Sequence, residues 1–126
     1  MKRLTRQWVD KADADFQTVQ RELRARKFPN YDGACFHAQQ CIEKYLKARL
    51  QEEGISFSKT HDLTQLLDQI KPVEPLWEIF RPGCNRLKVF AVQFRYPGRT
   101  ADREMAKQAL RLCRDMREII RASLER

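Results

Sequence analysis

The sequence predicts an all-α protein, an up-and-down bundle of about five helices folded as a single domain over residues 1–126. Three observations predict it. Apolar residues recur three or four apart through most of the chain, and no segment alternates with the period of two that a half-buried strand needs. The periodic segments are separated by short turns rich in Pro, Gly and Asn. A chain of 126 residues can bury roughly two thirds of its unfolded surface around one core, and it is too short for two.

The first helix is predicted over about residues 5–27, where Trp8, Ala12, Phe16, Val19 and Leu23 form one apolar stripe opposite Asp, Arg and Gln. Phe28-Pro29-Asn30 ends it, because a residue before proline is driven out of the α region. A second helix follows from Tyr31 to Glu53, capped by Asn30 or Asp32 and closed by Gly54. Its apolar positions, Ala34, Cys35, Ala38, Cys41, Ile42, Tyr45, Leu46 and Leu50, span a broad arc and place it centrally. A short third helix runs from Asp62 to Ile70 and stops at Lys71-Pro72.

The fourth helical region, Glu74 to Phe94, has Pro75 in its first turn and is interrupted by Arg81-Pro82-Gly83. An internal proline removes a donor and clashes one turn back, so a kink or two short helices is expected. Tyr96-Pro97-Gly98 makes the next turn. The last helix is predicted from Ala101 to Leu124 around Ala106, Ala109, Leu110, Cys113, Met116, Ile120 and Leu124. Arg111, Arg114, Arg117 and Arg121 are left to form a solvated or partner-facing ridge.

Composition narrows the class of function. Lys and Arg number 25 against 17 Asp and Glu, a formal charge of +8, which favours an anionic partner. Apolar content of 42% with 33% charged residues excludes disordered and low-complexity classes. No apolar run approaches the roughly 18 residues of a membrane span. The basic N-terminus leads into Asp10, Lys11, Asp13 and Asp15 instead of an apolar signal region. A soluble, cytoplasmic protein with no membrane association is expected. Cys35, Cys41, Cys84 and Cys113 lie far apart among apolar neighbours and read as buried free thiols. Cys35, His37 and Cys41 lack a metal-knuckle spacing, and on a helix Cys35 and His37 point about 200° apart, so no metal and no cofactor is expected.

The sequence has no Gly-rich phosphate loop, no nucleophile elbow and no helical His-Glu-x-x-His. Three polar segments stand out. On the second helix His37, Gln40, Lys44 and Lys47 follow helical spacing and bring an imidazole, an amide and two ammonium groups to one stripe, suited to a phosphate and a base edge. Satisfied polar groups beside solvated lysines would give the same pattern. Lys59-Thr60-His61-Asp62 precedes the third helix, where free N–H groups and the positive dipole end favour an anion. Capping by Thr60 or Asp62 competes for those donors. Arg95 and Tyr96 stand at the end of the fourth helical region, a guanidinium for phosphate and a phenol for stacking.

Together these segments resemble the HEPN family, the higher-eukaryote and prokaryote nucleotide-binding domain. The resemblance covers nearly the whole chain and rests on Trp8 and Ala12, the run Phe36-x-x-Gln39-Gln40-x-x-Glu43-Lys44-x-x-Lys47-Ala48, the run Lys59-Thr60-His61-Asp62-Leu63, and Arg95-Tyr96-Pro97. It implies a homodimeric helical bundle with a polar cleft for a nucleotide such as ATP, or RNA, near the dimer interface. It also implies a minimal nucleotidyltransferase partner in a toxin-antitoxin-like module. Family RNases carry Arg followed four to six residues later by His. No Arg stands at that distance before His37 or His61, and no His follows Arg95. The resemblance therefore implies a noncatalytic nucleotide-binding module, with Lys44, Lys47, His61, Arg95 and Tyr96 in the cleft and Lys59 beside it. His37 and Gln40 join on stripe geometry. A metal-independent RNase with a divergent site, and a structural adaptor, are the alternatives.

Overall fold

The second helix is the axis of the molecule. In the computed structural model, which describes all 126 residues, the elements are α1 (Arg3–Arg24), α2 (Tyr31–Glu53), α3 (Leu63–Ile70), a 3₁₀ helix (Pro75–Phe80), α4 (Arg81–Gln93) and α5 (Arg103–Leu124). No strand occurs. Residues Ala34, Cys35, Ala38, Cys41, Ile42, Tyr45, Leu46, Ala48 and Leu50 are buried around α2, which packs against α1, α5, α4 and α3. This is the arrangement the broad stripe predicts. Asn30 caps α2 by accepting the Gly33 N–H at 2.8 Å, and Gly54 closes it in the left-handed region at φ 72°.

Some expected boundaries are corrected. α1 ends at Arg24 instead of Lys27, since Ala25 is already extended and the Glu22 carboxylate draws the turn back by accepting the Asn30 N–H at 2.8 Å. It starts earlier than expected because Glu52 of α2 accepts both the Lys2 N–H and the Thr5 hydroxyl, each at 2.9 Å. The fourth region is split: Trp77 and Phe80 bury one edge of the 3₁₀ helix, and Pro82 opens α4 in its first turn, where a missing N–H costs nothing. α5 begins at Arg103. Asp102 caps it through the Met105 N–H at 2.8 Å, while the buried Ala101 donates its N–H to Asp32 at 2.6 Å.

The arginine ridge is also corrected. Arg111 and Arg114 are exposed, but Arg117 and Arg121 fold back onto Asp13 of α1 at 3.1 and 3.0 Å. The Tyr45 hydroxyl donates to the same carboxylate. Burial, reinforced by Asp13, pushes the Tyr45 phenol well above its ordinary range. The Arg117 guanidinium covers the Phe16 ring at 4.5 Å, so the pair is held by packing as well as charge.

Two of the three buried charges on α2 pair with each other. Lys47 is 6% exposed and Glu43 3%. Their ion pair spans 3.1 Å, and the ammonium sits 5.5 Å from the Trp8 ring centroid. No helix of the chain is long and apolar enough to cross a membrane.

Two outcomes follow for the folded chain. All four cysteines are buried and unpaired, and burial pushes the Cys35 and Cys84 thiols up to about 12. Iodoacetamide at neutral pH should leave the native protein unmodified by mass spectrometry and alkylate all four thiols in denaturant. Lys47→Met should cost about 3 kcal/mol in urea unfolding, since it strands the Glu43 carboxylate in the interior, and adding Glu43→Gln should restore most of that loss.

Candidate functional site

A cleft of about 350 Å³ opens between the middle of α2, the start of α3 and the last turns of α4. Helical spacing builds its walls. Phe36 and Gln40 stand four apart on α2, and Lys88 and Val92 stand four apart on α4 with Arg95 just beyond. His61 and Asp62 enter from the segment that leads into α3.

Behind the lining residues Gln39, Gln40 and His61 runs a chain of polar groups anchored on the buried Glu43. One carboxylate oxygen takes the Lys47 ammonium at 3.1 Å and the other lies 3.1 Å from His61 Nδ1. A carboxylate only accepts, so Nδ1 carries the hydrogen and Nε2 is left facing outward from a side chain that is 81% exposed. Gln39 Nε2 donates to the His61 carbonyl at 2.9 Å, which fixes its amide orientation. Its Oε1 therefore accepts, and Gln40 Nε2 donates to it at 2.8 Å. Gln40 Oε1 remains free to receive a donor.

At the helix start, capping prevails over an open anion site. Asp62 takes the Thr64 N–H at 3.0 Å and the Lys88 ammonium at 3.1 Å. Partial burial raises the Asp62 carboxyl, but the Thr64 hydroxyl, Lys88 and the Thr64 N–H outweigh it and hold the group below its ordinary value. Arg95 differs from Lys88. No carboxylate lies within ion-pair distance of it, and its guanidinium is centred 5.9 Å above the Phe36 ring.

Phe36 and Arg95 are shared with a second cleft of about 320 Å³, which contains Asn30, Asp32 and His37. His37 repeats the pattern of His61. Its Nδ1 lies 2.8 Å from the buried Asp15 carboxylate, whose other oxygen takes the Lys44 ammonium at 2.6 Å. Two imidazoles, each tied through Nδ1 to a carboxylate that also binds a lysine, thus flank one unpaired guanidinium.

Of the residues expected from the sequence, Gln40, His61 and Arg95 line the first cleft and His37 lines the second. Lys44 and Lys47 line neither cleft, each being engaged by a carboxylate. Lys59 and Tyr96 are exposed and line neither cleft. Lys88 escaped sequence reasoning although it stands on α4 seven residues before Arg95 and lines the same cleft. Asp15 and Glu43 escaped it because a carboxylate on a helix ordinarily reads as a solvated group. No cluster of three or more His, Cys, Asp and Glu side chains is placed to hold a metal.

Comparison with known proteins agrees with this architecture. No curated protein matches the chain, and no solved structure does. The family model of the HEPN domain matches residues 5–124, nearly the full length and all five α-helices, and the chain therefore belongs to the HEPN domain family.

Proposed function

We propose that the cleft binds a nucleotide such as ATP and that the protein is a noncatalytic HEPN module. The observation that carries this reading is Arg95, a guanidinium with no carboxylate partner held over an aromatic ring at a cleft mouth. Arg pairs two phosphate oxygens at once through its planar fork. Lys88 adds a second cation by exchanging Asp62 for phosphate, His61 Nε2 offers a further polar contact, and Gln40 Oε1 takes a donor from the base edge. The volume falls at the lower end of the range for small-molecule sites, roughly 300–1,000 Å³. Tyr96, next to Arg95 in sequence, and Lys59, two before His61, extend the contact, whereas Lys44 and Lys47 serve by orienting Asp15 and Glu43. In keeping with the family, the module works as a homodimer beside a minimal nucleotidyltransferase in a toxin-antitoxin-like pair.

A second reading has its own observation. Each histidine presents a free Nε2 because a carboxylate holds Nδ1, the arrangement a general base or acid requires, and Arg95 between them suits a charged phosphorane. That reading is a metal-independent RNase.

Calorimetry on the pure protein tests the binding reading, and incubation with RNA tests the second. ATP should bind, and Arg95→Ala should weaken it roughly 10–100-fold, the worth of a charge-assisted contact, while Lys44→Ala changes it little. Absence of heat from every nucleotide up to about 1 mM sinks the binding reading. Total RNA incubated in EDTA should stay intact; cleavage that disappears in both His61→Ala and His37→Ala would install the RNase instead.

A further inference from the structure

Hydrogen-bond accounting on the α2 wall of the first cleft fixes which end of Gln40 a ligand meets. Gln39, directly before it, is 4% exposed, and the nitrogen end of its amide is closed. Nε2 stands 2.9 Å from the His61 carbonyl and 3.5 Å from Glu43 Oε1, both of which only accept. The nitrogen is therefore pinned there, and the opposite end of the amide is Oε1. Gln40 meets that oxygen at 2.8 Å, so the atom it turns toward Gln39 is its own nitrogen. Reversing Gln40 would set two amide oxygens against each other and leave the oxygen of the buried Gln39 without a donor. The order runs one way, from the His61 carbonyl through Gln39 to Gln40, and it ends on Gln40 Oε1 as an acceptor.

The rest of the cleft decides what that acceptor meets. Phe36 stands four residues before Gln40 on α2, about 6 Å along the axis, and the Arg95 guanidinium is centred 5.9 Å from its ring. Phosphate is received at the Phe36 end, and Gln40 lies one turn further on. Phe36, Ala91 and Val92 supply apolar surface for a flat ring. The cations aside, Gln40 Oε1, the Asp62 carboxylate and Nε2 of a neutral His61 all accept. Asp62 is already occupied by the Thr64 N–H and the Lys88 ammonium, so Gln40 Oε1 is the amide oxygen left for a base.

We infer that the cleft selects its nucleotide by an exocyclic amine on the base, adenine over hypoxanthine and cytosine over uracil, and that Gln39 is the positioning residue for this selection. The inference rests on the nucleotide reading of the cleft and adds to it the group of the base that is read. The amine at purine C6 or pyrimidine C4 lies on the edge opposite the sugar and donates to Gln40 Oε1. A carbonyl in its place sets oxygen against oxygen. A glutamine by itself is indifferent to this difference, because half a turn of its amide offers N–H in place of O. Gln39 removes that freedom, and a site whose polar groups cannot turn over discriminates between ligands that differ in one polar group.

Calorimetric titration with two matched pairs tests it, ATP against ITP and CTP against UTP, each pair differing at that one ring position. Guanine, with an amine and a carbonyl on the same edge, does not discriminate. The amine-bearing member of each pair should bind about 10-fold more tightly, the worth of one hydrogen bond. Gln39→Leu should bring both ratios close to one, and ITP should bind more tightly to this variant than to the wild-type chain, which mere damage to the structure would not produce. Should Gln39→Leu unfold, Gln40→Leu replaces it and should also abolish the preference. Equal binding of ATP and ITP by the wild-type chain overturns the inference and leaves the nucleotide cleft standing. A preference that survives both Gln39→Leu and Gln40→Leu overturns it too, since the base is then read elsewhere. Failure of every nucleotide to bind overturns the inference together with the reading it rests on.

Discussion

The Glu43 carboxylate is the constraint on which both the core and the cleft depend. It is almost fully buried on the central helix, and a buried charge is tolerated only when its oxygens are filled. Lys47 and His61 fill them, with Gln39 close by. The first of these ties the carboxylate to the packing of Trp8 on α1. The second pulls the segment before α3 onto α2, and that segment is one wall of the cleft. A core requirement therefore sets the position of a surface imidazole.

The same device recurs between α1 and α2. Asp15 on α1 is filled by His37 and Lys44 of α2, so helix packing and imidazole placement are again one event. Lysines that look like phosphate ligands in the sequence are the counter-ions that make these carboxylates tolerable inside the protein. The cations left for a ligand are the ones without such an obligation, Arg95 above all, and Lys88 whose partner Asp62 lies at the cleft edge. Net charge is a poor guide to a site for this reason: what matters is which cations remain unspent.

Much of the fold was legible because its determinants are local. The broad stripe of α2, Asn30 and Gly54 at its ends, and Pro82 at the break in the fourth region act through neighbours in sequence. Errors came where distant residues intervene, as Glu52 does in lengthening the start of α1. The site was legible only in part. Arg95, His61 and Gln40 share a cleft because helical spacing and order along the chain bring them there, but the inward turn of Lys44 and Lys47 depends on Asp15 and on the burial of Glu43, which no spacing rule reveals. Arg117 was misassigned for the same reason, since its partner Asp13 lies 104 positions away.

That long-range clamp bears on how the molecule assembles. α1 and α2 are neighbours in sequence and pack along much of their lengths, so their hairpin closes a short loop and forms at little entropic cost. Asp13 and Tyr45 are then in place, but the guanidiniums of Arg117 and Arg121 arrive only when the final helix docks. The clamp joins positions 104 apart in sequence, so closing it costs more chain entropy than closing the hairpin. A single carboxylate on the first helix thus fastens the last helix to it across nearly the whole length of the chain.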